Sequence, residues 1–442
     1  MAGFEKQYLN YIKANEQQSI VDFKKARQYL KTTGVGSIKG DLCFNFVPKL
    51  FSADAFKAIQ NASRQMYDIL VRCIEKYCSC ANFRQLFGFS KKLQELILVE
   101  MGYSCALPIA RIDMFFNEEN LDFKFFEFNA DGASAMIEDK EITAALRLSR
   151  AYSEFEDAYK IQSFELFDTW VNEVVSIYNE WTLVAQNFTV AIVDFLDKGT
   201  MGEFVAFKQA FLNRGINCII AEISALRYDR DKKSLFDKHG NKIDVVYRRA
   251  VTSDCMAGYD AIGDFLAAYR DGAVCVIGGF KTQVIHNKKL FSILHSEAAK
   301  GVFNKLQLEF IKRHIPLTVP LEAGMHFDAA LKNKDHFIIK PEDLYGSIGV
   351  AAGRDCSREE WEGILKQNVG KDYILQEFCT AYKSENCYVA GGIVRYEIFN
   401  NTTGLYMYGG KLAGMYSRQM AKATTTVEDE GRVACSWILD ER

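Results

Sequence analysis

The densest chemistry in the sequence lies in two short alternating stretches. In Arg111-Ile112-Asp113-Met114-Phe115-Phe116, strand geometry puts residues two apart on one face, so Arg111 and Asp113 stand together. In residues 123–129 the same rule groups Glu127 with Asn129 and turns Phe126 and Phe128 away with Ile112 and Met114. Residues 117–122 turn between the two, which predicts a hairpin with a long loop. Phe115, Phe123 and Phe125 are expected around the polar set, where unpaired polar groups cost several kcal/mol. One reading is a solvated sheet face carrying an Arg–Asp ion pair. The other is a hard-cation site, with two carboxylates and an amide oxygen completed by phosphates and water, which suits Mg²⁺.

A second constellation follows far downstream. Phe337-Ile-Ile-Lys340-Pro341 is an apolar strand ending in lysine, followed by Tyr345-Gly346-Ser347-Ile348-Gly349-Val350. Glycines let backbone N–H groups close on phosphate oxygens, and the lysine adds a point charge. It is not a Walker A loop, which has Gly-Lys-Ser/Thr at a helix start, and an edge lysine before an ordinary turn is the plainer reading. Tyr373-Ile-Leu-Gln376-Glu377-Phe378 is a strand with an amide and an acid at its end. It is either a plain edge strand or the wall of an adenine slot, which needs apolar surface and a few hydrogen bonds. Gly34, Gly36 and Gly40 lack dinucleotide-fingerprint spacing and read as a turn. The six histidines form no zinc-protease motif, and no G-x-S-x-G elbow occurs.

The chain that must position these groups has 442 residues, 49% hydrophobic and 25% charged, an ordinary globular composition. Length alone suggests two to three domains. With 30 Gly and 5 Pro, no long flexible linker is expected. A formal charge of −3, from 54 basic and 57 acidic residues, builds no one-sign field for non-specific nucleic-acid binding. No run approaches a membrane span, and the charged start reads as helix rather than signal peptide, so a cytoplasmic protein is expected. The 12 Cys are scattered through apolar stretches, and the close set Cys73, Cys78 and Cys80 lacks a second pair at zinc spacing.

Periodicity predicts a mostly helical residues 1–100, with helices at 56–77 and 90–101, then the hairpin, then helix over 135–185. From residue 188, strands at 189–194, 217–222, 243–249 and 274–277 alternate with helices, which implies a parallel sheet. After 286 come a helix at 288–294, a strand at 336–340, a helix at 358–367, and strands at 373–378, 387–399, 405–408 and 411–416.

Through Glu127-Phe-Asn129-Ala-Asp131, Ile339-Lys340-Pro341 and Ala413-Gly-Met-Tyr-Ser-Arg418, the chain resembles the glutathionylspermidine synthetase family over about residues 105–440. More widely it resembles the circularly permuted ATP-grasp carboxylate–amine ligases. The resemblance implies a mixed α/β ATP-grasp fold in permuted order. Residues 1–187 would hold a helical region and the metal hairpin, 188–285 a Rossmann-like pre-ATP-grasp unit, and 286–442 the nucleotide-binding region. It implies two Mg²⁺ on Asp113, Glu127 and Asn129, with Arg111 and Arg418 at the reacting phosphoryl and carboxylate groups. ATP would meet Lys288 (of the pair Asn287-Lys288), Lys340, Gly346, Ser347 and Gly349, with Gln376, Glu377 and Phe378 at adenine. Ser134, with Glu138 close by, falls at the family's substrate-binding serine.

Two departures qualify it. About 100 residues precede the hairpin, too few for the amidase domain of the bifunctional synthetases, so no amidase activity is expected. The family follows its second arginine with Glu, where this chain has Gln419, which removes an acid that would attract a polyamine. The expected reaction joins a small-molecule or peptide carboxylate to an amine through an acylphosphate, releasing ADP and phosphate. Two other classes stay open, an ATP-binding protein without turnover and an ATP-grasp phosphotransferase.

Overall fold

The computed structural model describes residues 3–37, 40–182, 187–344, 346, 348–422 and 431–441. Its largest sheet has six strands. Arg432–Ala434, Lys411–Met420, Ile393–Tyr408, Ile109–Phe116 and Phe123–Asn129 lie side by side, and Lys383–Ala390 pairs with the first half of Ile393–Tyr408. All pairings in it are antiparallel. The predicted breaks at 399 and 405 do not occur: one strand of 16 residues runs from Ile393 to Tyr408. The turn instead falls at Gly391 and Gly392, whose φ angles of 60° and 79° suit a tight hairpin that only glycine enters freely.

A second, four-stranded antiparallel sheet orders Thr318–Pro320, Tyr373–Glu377, Phe337–Pro341 and Ala351–Ala352. The third sheet is parallel, in the order Cys275–Ile277, Val245–Arg248, Thr189–Asp194, Asn217–Glu222. The three strands Cys275–Ile277, Val245–Arg248 and Thr189–Asp194 are short, mostly apolar and almost wholly buried, as parallel strands covered by helices are, while the edge strand Asn217–Glu222 is only partly buried. Ile243, expected in the third strand of this sheet, belongs to a separate antiparallel piece with Arg227–Asp229 and Ser234–Phe236.

The helical expectation for the N-terminal region holds around Ala53–Ser79, a helix of 27 residues. Ser52 caps it by accepting from the Ala55 N–H, and Ile59, Ala62, Met66, Leu70, Cys73 and Tyr77 recur at helical spacing along its buried face. Residues 135–185 are not one helical run. Met136–Leu146, Arg150–Ala158 and Phe167–Trp181 are interrupted by the strand Tyr159–Gln162. That strand joins Ser436–Glu441, which also pairs in parallel with Lys49–Ser52. The chain's early and late segments therefore share one small sheet. Among the described residues, no helix is long and apolar enough to cross a membrane.

Candidate functional site

The first hairpin forms as expected up to Asp113. Arg111 lies opposite Asn129 and Asp113 opposite Glu127, and then the register slips by one residue. This β-bulge corrects the predicted faces. Phe126, the extra residue, turns toward the polar set and stacks on Phe115 with ring centroids 4.3 Å apart. Phe125 goes instead to the core beside Met114, with no exposed surface. A bulge resets the two-residue alternation on one strand, so every residue beyond it changes face.

The polar side chains of the hairpin open onto a cavity of about 490 Å³ bounded by all three main sheets. Arg111 binds Asp113 with two prongs, at 2.7 and 2.9 Å, and Asn129 donates to the same carboxylate at 3.0 Å. Burial raises the Asp113 carboxyl above its usual range, against the pull of Arg111 and with a further push from Glu127. Glu127 is half-buried, and Lys288, Lys340 and Arg111 outweigh its desolvation and hold it at about 2.

The two lysines come from different segments. Lys288 immediately precedes the Lys289–Leu294 helix and lies 3.3 Å from Glu127, with its ammonium donating to the Leu344 carbonyl at 2.7 Å. Phe291 of that helix stacks on Phe128 at 4.5 Å, locking helix and hairpin together. Lys340 reaches the Phe126 carbonyl at 3.1 Å and the Gln376 amide oxygen at 2.8 Å. Burial lowers its pKa to about 8, opposed by Glu127 and reinforced by Lys288. Arg418, opposite Thr402 in the large sheet, also lines the cavity. Its guanidinium has no ion pair among the described residues. Four cations thus face two carboxylates, a charge excess that suits a polyphosphate.

Gly346, Gln376, Glu377 and Phe378 line the same cavity. Gly349 does not reach it: its φ is 73°, and a Cβ there would lie 2.7 Å from the Tyr373 hydroxyl, so this glycine serves the turn and its packing. Ser347 lies outside the described residues. Ser134 is on the wall, and its carbonyl is held by Arg111 at 3.0 Å and Tyr406 at 2.6 Å. Glu138 stands off the cavity lining, where burial and nearby Glu203 push its carboxyl up to about 7.

Asp113, Glu127 and the free amide oxygen of Asn129 face one space in adjacent register, the hard-oxygen donors that Mg²⁺ takes alongside phosphate and water. Among the described residues, no cluster of three or more His, Cys, Asp or Glu could hold a metal by itself. The trio therefore fits a cation shared with a phosphate-bearing substrate better than a self-sufficient protein cage.

Sequence reading missed the clamp behind Ser134. Arg248 pairs with Asp131 at 2.6 Å, and Asp131 also accepts from the Thr252 N–H. Arg249 pairs with Glu203 at 2.7 Å and donates to the Ala133 carbonyl, while Glu203 accepts from the Met136 N–H at 2.8 Å. Gly132, at φ 65°, lets this loop pass the Arg249 carbonyl, which a Cβ would approach to 2.7 Å. The available signal was Arg248-Arg249 itself, two charges closing an apolar strand.

Comparison with solved structures aligns nearly the whole chain with a glutathione synthetase-like effector from Globodera pallida in its apo form. The two share 12% identity at a TM-score of 0.58, over 95% of this chain and 96% of that one. A putative γ-glutamylcysteine synthetase from Methylobacillus flagellatus KT matches at 10% identity and a TM-score of 0.41, over 88% and 89% of the two chains, too distant to bear on the argument. No protein-family model matches the sequence, and no curated protein matches it. At such identity the likeness shows the fold alone, a mixed α/β architecture shared with that effector over nearly its whole length.

Proposed function

We propose that this chain is an ATP-dependent carboxylate–amine ligase of the ATP-grasp type, related to the glutathionylspermidine synthetases. The observation that carries the reading is the convergence of Lys288, Lys340, Arg111 and Arg418 with Asp113, Glu127 and Asn129 on one cavity. The order along the chain supports the circular permutation. The hairpin precedes the parallel sheet and the segments bearing Lys288 and Lys340 follow it, yet Ile109–Phe116 completes a sheet built mostly from residues after 382. On this reading residues 1–187, 188–285 and 286–442 are the helical and hairpin region, the pre-ATP-grasp unit and the nucleotide-binding region.

Lys288 and Lys340 hold the phosphates of ATP, and Gln376, Glu377 and Phe378 border the adenine. Asp113, Glu127 and Asn129 would hold two Mg²⁺, which would neutralise phosphate charge. Arg111 and Arg418 orient the acceptor carboxylate and the γ-phosphoryl group, and Ser134 borders the substrate. The carboxylate oxygen attacks the γ-phosphorus and ADP leaves. The amine then attacks the acyl carbon, and phosphate leaves from the tetrahedral intermediate. Phosphoryl transfer asks for position and charge neutralisation rather than a protein nucleophile. Free ATP and Mg²⁺ in such a reaction suit a cytoplasmic setting.

The test is ADP release measured against panels of amino acids, peptides and polyamines, followed by ¹⁸O labelling of the substrate carboxylate. One label is expected in the released phosphate. AMP and pyrophosphate in place of ADP would exclude the acylphosphate. ADP release that needs no amine would identify a phosphotransferase instead.

A further inference from the structure

The cavity has two electrically distinct halves. Around the hairpin, Lys288 and Lys340 the cations are in excess. The other half lies at the carboxyl ends of the parallel strands, where the sheet order reverses: Thr189–Asp194 has Asn217–Glu222 on one side and Val245–Arg248 on the other. Crevices at such a switch point are where open parallel sheets take their ligands.

The charged side chains that line the cavity there pair off almost completely, and Glu222, at the end of the neighbouring strand, lies off the wall with its carboxylate held by the Leu196 and Ser224 N–H groups. Asp131 is bound to Arg248, Glu203 to Arg249, and Asp254 to Lys198 at 2.7 Å. Asp194 is left over. It is 8% exposed, and it lines the cavity as the last residue of its strand. Its Oδ1 accepts from the Phe195 N–H at 2.8 Å, and its Oδ2 has no hydrogen-bond partner among the described residues. A Cβ at Gly199 would lie 3.0 Å from that oxygen and 2.5 Å from the Phe204 ring, so only glycine fits beside the carboxylate.

We propose that this half is the subsite for a substrate carrying a single primary ammonium group, and that Asp194 is the carboxylate that receives it. The inference rests on the ligase reading above and names a substrate class for it. One surplus negative charge matches one ammonium, as on an amino acid or a peptide N-terminus; a polyamine would bring several charges to a wall that offers one. Burial pushes the Asp194 carboxyl up to about 6 against the pull of Arg249, the condition of a carboxylate short of a counter-ion.

The experiment uses the full chain, wild type and Asp194→Asn, which keeps an acceptor for the Phe195 N–H. Calorimetry with Mg²⁺ and a non-hydrolysable ATP analogue is run first. The probes are then the amino acids, glycyl dipeptides, their N-acetylated forms, putrescine and spermidine. At least one amino acid or dipeptide should bind the wild type and lose about tenfold or more in affinity in Asp194→Asn, the loss of one charge-assisted hydrogen bond. Its N-acetylated form should not bind, and the ATP analogue should bind both proteins alike. If the analogue binds but no ammonium probe distinguishes the two proteins, or none binds, the Asp194 subsite is wrong and the nucleotide site stands. Selective loss of spermidine alone would replace the single-ammonium class with a polyamine. If the analogue itself does not bind, the ligase reading falls.

Discussion

Asp113 and Glu127 face each other across the first hairpin at the last register pair before a bulge. One is engaged by an arginine from its own strand and the other by a lysine from a helix more than 150 residues later. Neither carboxylate is a surface charge, so their behaviour separates a metal and phosphate site from an ornamental ion pair.

Lys288→Met and Lys340→Met should each weaken ATP binding while leaving the fold intact. Losing one charge-assisted contact should cost about 1.5–3 kcal/mol. Calorimetric titration with ATP checks this, and unchanged affinity in both variants would remove the phosphate assignment.

Alanine at Asp113, Glu127 or Asn129 should abolish or sharply reduce turnover and shift the Mg²⁺ dependence of what remains. The three share one face and one cavity, so their effects should fall well short of additive. Full activity of Asn129→Ala at limiting Mg²⁺ would break the trio apart.

Arg418→Lys keeps the charge and loses the planar fork. Removing one donor to a developing oxyanion typically costs about 2.7–4 kcal/mol in the barrier, on the order of a hundredfold in rate. ATP affinity should stay normal. Weakened ATP binding with normal saturated turnover would move Arg418 to the nucleotide.

Glu203→Ala leaves the Arg249 guanidinium buried without its carboxylate and frees the Met136 N–H. Breaking one partner of a buried pair costs about 3–5 kcal/mol, and thermal melting should show it directly. A melting temperature within a degree of wild type would mean that the clamp carries no stability.

Asp139 supplies a pH test remote from the cavity. It is 1% exposed, and burial pushes its carboxyl up to about 8, while the Ser436 N–H donating at 2.9 Å opposes the rise. The folded protein keeps this proton where the unfolded chain, titrating near 3.9, gives it up. Stability is therefore highest below about pH 4 for this group and declines as pH rises toward 8. Asp139→Asn removes the decline, so its melting temperature should gain on wild type between pH 5 and 8. A constant gap across that range would show the carboxylate ionised in the fold.

Much of this was legible because it is local. The face shared by Arg111 and Asp113, the lysine closing an apolar strand at Lys340, and the parallel sheet all follow from periodicity within a few residues. What escaped was set by distant partners. Phe126 was assigned to the wrong face because a bulge leaves no mark in the alternation of one strand. The clamp of Arg248 and Arg249 depends on Asp131 and Glu203, from other parts of the chain. Tyr159–Gln162 is a strand because Ser436–Glu441 offers it an edge, although its neighbours in sequence are helical.

The pairing of Asp113 with Gly404 has a consequence for biosynthesis. The hairpin bearing Asp113, Glu127 and Asn129 emerges early from the ribosome, but its partner strand arrives almost three hundred residues later. Until then the Ile109–Phe116 edge is unpaired and its apolar face lacks a lid, the condition in which nascent chains aggregate. Synthesis halted before residue 403 should leave a product that needs chaperone protection and lacks the cavity wall that Gly404, Tyr416 and Arg418 supply, however complete its earlier segments are.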